Sequence, residues 1–256
     1  MGKTNISWSD EVWNPVTGCT KVSAGCANCY AEAVMKRFDP DEKFETVTCH
    51  PNRLNAPCRW KKPRRVFVNS MSDLFHEKVP LTFIHKVFMV MISQRHLTFM
   101  ILTKRPQRAM IFFQGMMGIG AHPTPNIWLG ISAENQKTLD ERIPYLLQTP
   151  VRLKFLSLEP MLEPIDISTA LNGTDYESIH PAEGVKWVIV GAESGPKRRP
   201  FEVRWLEEIE KQCARIWGKR TNQALFVKQD SGPFPGMQGR IPNYLWKIKE
   251  FPRVAE

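Results

Sequence analysis

The chain has 256 residues, enough for one large domain with a well-buried core. Although 42% of it is apolar, no apolar run nears the roughly 20 residues needed to cross a bilayer, so a spanning helix is excluded. The 35 Lys and Arg against 26 Asp and Glu leave a formal charge of +9, which points to an anionic partner, nucleic acid first, or else to a solvated basic surface.

The opening MGKTNISWSD lacks the apolar stretch of a secretory signal, so the expected compartment is the cytoplasm, with reduced thiols. A strand is expected near residues 4–8, and Trp8, Trp13 and Pro15 then lead into a loop, GCTKVSAGCANCY, followed by a helix over Tyr30–Arg37. Residues 39–65 read as irregular and end in a basic run, RWKKPRR, whose Trp60 is placed to stack a base while its neighbours hold phosphates, if it is not simply a loop.

From Val66 the pattern becomes regular. The runs VFVNS (66–70), LTFMILT (97–103), NIWLGIS (126–132), RLKFLSL (152–158), KWVIVGA (186–192) and ALFVK (224–228) are almost continuously apolar, as strands buried on both faces are. Between them, 81–94, 135–147 and 202–217 carry apolar residues at helical spacing, the first through Leu81, Ile84, Phe88 and Met91. Residues 229–256 read as a loop and a short helix around Tyr244–Glu250. No repeat or linker interrupts the chain, so it reads as a single domain over 1–256: the loop and irregular segment (1–65), β/α units (66–228) and a C-terminal extension (229–256).

Each of these strands ends in polar residues that a buried sheet does not need. They are Asn69, Ser70 and Asp73; Thr103, Lys104 and Arg105; Ser132, Glu134 and Asn135; Ser157 and Glu159; Glu193, Ser194 and Gly195; Lys228, Gln229 and Asp230. In a β/α barrel such ends converge, so the recurrence predicts one polar cavity, while any single Ser, Asn or Asp also suits a helix N-cap. Glu159 and Glu193 follow strongly apolar runs and need a donor, a metal or a cationic substrate to offset their desolvation; Lys104 and Lys228 are the candidate donors, and salt bridges across the strand ends are the alternative.

The loop puts Cys19, Cys26 and Cys29 in a C-x6-C-x2-C arrangement, with Gly18 and Gly25 before two of the cysteines. Three soft ligands this close point to a shared metal group. Zinc needs a fourth ligand from Cys49, His50 or Cys58; three thiolates alone suit a four-iron cluster with one iron open to a small molecule such as S-adenosylmethionine. Cys49, Cys58 and Cys213 read as buried thiols.

The succession TNISWSDEVWNPVTGCTKVSAGCANCYAE, WKKPRRVFVNSMSDLFHE, ILTKRP, WLGISAEN, FLSLEPML and WVIVGAESGP resembles the phage and prophage three-Cys-motif family across nearly the whole chain. That family is regarded as radical-SAM-like. The resemblance implies a partial (β/α)6 barrel of the radical-SAM type with the cluster on an N-terminal loop, a 4Fe-4S cluster on Cys19, Cys26 and Cys29, an electron donor and a three-Cys-motif partner protein. It also implies S-adenosylmethionine contacts at strand ends, here Asn69, Ser70, Ser132, Glu159, Glu193, Ser194 and Gly195, with Lys104, Arg105 and Lys228 facing a carboxylate- or phosphate-bearing substrate, a nucleic acid or nucleotide. The sequence departs from the usual radical-SAM motif in its first gap, six residues instead of three, and in having Asn28 where an aromatic residue precedes the last cysteine; FVKQDSG departs from the family at Asp230. Two other readings stand beside this one: a nucleic-acid-binding protein whose zinc or iron only pins the loop, and a metal-dependent hydrolase built on Asp73, His76, Glu159 and Glu193.

Overall fold

The computed structural model describes residues 4, 6–118, 120, 125–173, 184–218 and 222–253. They fall into two compact units, one within residues 1–130 and 149–152, the other within 131–148 and 153–256.

The first unit contains β1 (Glu11–Trp13), β2 (Val16–Thr17), α1 (Tyr30–Phe38), β3 (Thr48–Cys49), β4 (Arg64–Val68), α2 (Leu81–Ser93), β5 (Leu97–Thr103), α3 (Pro106–Gly118) and the first four residues of β6 (Ile127–Ser132). Strand β4 is paired in parallel with β1 on one side and β5 on the other. Covered on both faces, these strands bury Val66, Val68, Leu97, Phe99 and Met100 completely or nearly so, which is why the runs are apolar at consecutive positions. Helix α2 turns Phe83, Ile84, Val87, Phe88 and Met91 inward, and α3 turns Ala109, Phe112, Phe113 and Met116 inward. The rings of Phe88, Phe112 and Phe113 meet edge to face at 5.5 to 5.6 Å, and each such buried side chain stabilises the fold by about 1.5–3 kcal/mol.

The strand expected near residues 4–8 is instead Glu11–Trp13; residue 5 lies outside the described residues. Trp8 sits in a turn with its ring 4.6 Å from that of Phe67. Register is fixed by charge: Glu11 pairs with Arg64, and the Asp10 carboxylate accepts from the backbone and guanidinium of Arg65 at 2.8 to 3.2 Å. Two arginines of the basic run are therefore strand residues held by acids.

The second unit holds the last two residues of β6, then α4 (Gln136–Gln148), β7 (Leu153–Leu158), α5 (Ser168–Asn172), β8 (Trp187–Gly191), α6 (Val203–Trp217), β9 (Ala224–Gln229) and α7 (Asn243–Trp246). Strands β7, β8 and β9 run parallel in that order. The helix expected around Tyr244–Glu250 ends at Trp246, because the next residues pair with β9: Val227 N–H donates to Ile248 O at 2.9 Å and Glu250 N–H to Leu225 O at 3.1 Å. All six strands read from the sequence are present, and the fold is α/β, with parallel strands joined through helices as in a partial β/α barrel. No helix among the described residues is long and apolar enough to cross a membrane.

Candidate metal and cofactor site

The cysteine loop is fastened at both ends. Strand β2 pairs with β3 antiparallel, and Gly18 then bridges to Ser72 beyond β4: its N–H donates to Met71 O at 3.2 Å and its carbonyl accepts from Ser72 Oγ at 2.6 Å. Gly18 has φ +81° and packs so tightly that a side-chain carbon would overlap the Thr46 carbonyl, so only glycine fits. The next residue, Cys19, donates its N–H to Phe44 O at 2.8 Å. At the far end Cys29 is the N-cap of α1, its carbonyl accepting from Ala33 N–H at 3.2 Å, and the Tyr30 hydroxyl donates to Ser70 O.

Arg105, just beyond β5, governs the surroundings of Cys19. Its Nη1 lies 3.7 Å from the Cys19 sulfur and 3.3 Å from Asp73 Oδ2; Nη2 donates to Thr20 Oγ1 at 2.9 Å and Thr20 O at 3.3 Å; Nε donates to the Glu77 carboxylate at 2.8 and 3.0 Å. Asp73, 6% exposed, also accepts from Thr103 Oγ1 at 2.8 Å, Phe75 N–H at 2.9 Å and Lys104 N–H at 2.9 Å. Burial pushes the Cys19 thiol up to about 11, Asp73 adding to the rise and Arg105 opposing it. Without a metal Cys19 is therefore a neutral thiol, and a bound cation would reverse that balance.

His76 is not the surface or cap residue that a lone histidine suggests: it is 1% exposed. Its Nδ1 accepts from Lys78 N–H at 3.1 Å, so Nε2 carries the proton and donates to Thr20 Oγ1 at 2.9 Å. Burial, with help from Arg105, holds its pKa below the usual histidine value. Asn69 closes this end of β4 with φ +62°; its Oδ1 accepts from Val16 N–H at 3.3 Å, while Nδ2 is buried without a partner among the described residues. Ser70 Oγ donates to Asn14 Oδ1 at 3.2 Å.

The three thiols share one neighbourhood. Cys26 acts electrostatically on Cys19, and Cys19 and Cys29 pack against the same Ala31–Met35–Phe44 cluster. Among the described residues no group of three or more His, Cys, Asp and Glu side chains stands ready-made around a metal position. A soft donor set of this kind suits a thiolate-bound metal whose binding draws the ligands together. His50 Nε2, a candidate fourth zinc ligand, is bonded to Thr17 Oγ1 at 2.8 Å, and Cys213 is buried on α6 with its thiol pushed strongly up by desolvation.

In the second unit the strand-end acids are all paired. Glu159 meets Lys228 Nζ at 2.7 Å and Ser157 Oγ at 3.1 Å, over Gly191, where a side-chain carbon would come within 2.7 Å of the carboxylate. Glu193 is paired not with a lysine but with Arg199, which donates its backbone N–H at 2.8 Å, Nε at 3.0 Å and Nη2. Glu134, fully buried, takes Arg142 Nη1 at 3.1 Å, and the same nitrogen donates to Ser132 O at 2.6 Å. Ser132 Oγ donates to Glu159 O at 3.2 Å, Ser194 bridges to Gly232, and Gly195 N–H donates to Gly232 O at 2.9 Å. Asp230 is held by Arg240 Nε at 3.0 Å and Nη2 at 2.8 Å. Sequence reasoning missed Thr20, Glu77, Arg142 and Arg240, of which only Thr20, next to Cys19, carried any local signal; Arg199 stands out in the sequence as part of the basic triplet Lys197–Arg199, without its partner.

The profile of one family, described as a protein of unknown function (DUF5131), matches residues 3–232. The chain belongs to that family. No curated protein matches it. Two solved structures of spore photoproduct lyase are similar at 11% identity: a single-site mutant (TM-score 0.49, 90% of this chain and 58% of that one) and a double mutant with bound AdoMet and dinucleoside spore photoproduct (TM-score 0.44, 83% and 64%). This DUF5131 chain thus spans about three fifths of the length of each.

Proposed function

We propose that this protein binds a four-iron cluster on Cys19, Cys26 and Cys29 and acts as a radical S-adenosylmethionine-type enzyme on a phosphate-bearing substrate, a nucleic acid or nucleotide. The observation that carries the reading is the glycine-clamped loop, which brings three thiols into one neighbourhood and sets Arg105 against the first of them. When bound, such a cluster supplies an open iron for S-adenosylmethionine and the electron that begins the chemistry.

The chain's own residues do the rest. Cys29 stands at the N-cap of α1, and Arg105 is a positioning residue that offers N–H to the Cys19 sulfur while Asp73 and Glu77 fix its plane. Thr20, bonded to both Arg105 and His76, keeps the loop backbone from turning Cys19 away. Asn69, with an unspent buried donor, and Ser70 are assigned to the cofactor, together with Ser132, Glu159, Glu193, Ser194 and Gly195. An electron donor and a three-Cys-motif partner protein belong to the same proposal, as do Lys104 and Lys228 for the substrate; Arg105, expected to join them there, has its donors on Glu77, Cys19, Asp73 and Thr20.

The test is anaerobic purification and reconstitution with iron, sulfide and zinc analysis, and electron paramagnetic resonance with and without S-adenosylmethionine. About four irons per chain, lost on changing Cys19, Cys26 or Cys29 to Ala, with a spectrum that shifts on adding the cofactor, is the expected result. One zinc and no iron would overturn it and favour the non-catalytic nucleic-acid-binding reading.

A further inference from the structure

We propose that Arg198, Arg199 and Arg240 form a pocket in the second unit that binds a phosphodiester of the nucleic-acid backbone. This deepens the function proposed above and rests on its nucleic-acid substrate, but not on the cluster.

The three arginines, with Pro196, Pro200 and Ser231, line an open surface depression of about 520 Å³. Two of the guanidiniums are fastened along one edge, and the third by one nitrogen. Arg199 gives Nε and Nη2 to Glu193; Arg240 gives Nε and Nη2 to Asp230, and Nη2 also to Phe201 O at 2.7 Å; Arg198 gives Nη1 to Gly195 O at 3.1 Å. Glu193 and Asp230 are only 8% and 1% exposed, whereas the Arg199 and Arg240 side chains are 30% and 61% exposed. Among the described residues Nη1 of Arg199, Nη1 of Arg240, and Nε and Nη2 of Arg198 have no acceptor. Donors held in fixed planes and unspent on the outer side match the tetrahedral oxygens of a phosphate, and the side-chain entropy of binding is largely lost beforehand.

The walls are held as well. The loop after β8 and the loop after β9 are joined by the Ser194–Gly232 bridge and the bond from Gly195 N–H to Gly232 O at 2.9 Å, and Ser231 Oγ donates to Arg199 O at 3.1 Å. Charge chooses the ligand. Glu193 and Asp230 neutralise Arg199 and Arg240, and Glu202, which also acts on Arg240, is itself paired with Arg204 at 2.6 Å, so Arg198 supplies the uncompensated charge among the three arginines. One net charge suits a singly charged phosphodiester better than a doubly charged phosphate monoester.

The probe is fluorescence anisotropy of a labelled single-stranded oligodeoxynucleotide of about 20 residues with the whole metal-free chain, titrated between about 50 and 200 mM salt. Arg198 is exposed and holds no buried acid, so Arg198→Gln should melt like the parent while binding several-fold more weakly and uniformly across sequences, with its salt slope reduced by about 1. Parent binding with an unchanged affinity and slope in Arg198→Gln would overturn the pocket and leave nucleic-acid binding standing. No binding by the parent would overturn both. Calorimetric binding of inorganic phosphate without binding of the oligonucleotide would overturn the polymer assignment.

Discussion

Arg105 Nη1 stands 3.7 Å from the Cys19 sulfur and 3.3 Å from Asp73 Oδ2, so one nitrogen serves a thiol and a buried carboxylate together. Burial and Asp73 raise the thiol to about 11 from an ordinary value of 9.0, and Arg105 restrains the rise. The native state thus keeps a proton that the unfolded chain loses above about pH 9, and the stability from this group is full below pH 9 and lost as pH rises through about 11. In Arg105→Gln the midpoint for iodoacetamide alkylation of Cys19 in metal-free protein should move further up. The same change leaves Asp73 buried without its cation and should cost about 3 kcal/mol in urea unfolding. An unmoved alkylation midpoint would disprove the coupling.

Gly18→Ala tests the clamp. With φ at +81° and the Thr46 carbonyl in the way, the added methyl must displace the turn of residues 44–46, and the expected loss is at least about 2 kcal/mol. Metal-free Cys19 should then react with thiol reagents faster at every pH, because the bond from its N–H to Phe44 O goes with the clamp. A variant that melts with the parent and protects Cys19 equally would show that the loop is held by other means.

The pairing of Glu159 with Lys228 at 2.7 Å is suited to a double-mutant cycle. Lys228→Met leaves a carboxylate whose side chain is 14% exposed, and should cost about 1–3 kcal/mol; Glu159→Gln with Lys228→Met should recover much of that loss. Additive losses in denaturant melts would mean that the pair contributes nothing as a pair.

Lys249 lies 3.4 Å from the Trp246 ring centroid and donates to Val227 O, and burial lowers its pKa to about 8. Here the folded state binds fewer protons than the unfolded one between about pH 8 and 10.5, so stability rises with pH across that window and the burial penalty is felt below it. Lys249→Met, which keeps the packing on Trp246, should therefore gain stability relative to the parent at pH 7, and the gain should fade toward pH 10.5. Melting temperatures of both proteins across that range decide it; a difference that does not change with pH would exclude the titration.

The strands β4 to β9 were readable because each is buried on both faces, and such burial leaves an apolar run that needs no partner to be recognised. Strand β1 was misplaced because three residues carry no period; its identity comes from the register Glu11 to Val66 and from charges more than fifty residues away. Helix α3 escaped notice although Ala109, Phe112, Phe113 and Met116 keep helical spacing, since Gly115 and Gly118 dilute its pattern. The C-terminal helix was read too long because Lys249 belongs to an antiparallel bridge with Phe226.

By itself the sequence determined the α/β class, the succession of strands and helices, and the spacing of Cys19, Cys26 and Cys29, all of which are local properties of the chain. Only the tertiary structure decided that Arg105 faces Cys19 instead of solvent, that Glu193 goes to Arg199 and Glu159 to Lys228, and that Arg198, Arg199 and Arg240 share a surface depression. The reason is physical: a polar residue after a strand is written alike whether it caps a helix, closes an ion pair or meets a ligand. Its partner is chosen by the packing of distant segments, through a desolvation cost that no local pattern records.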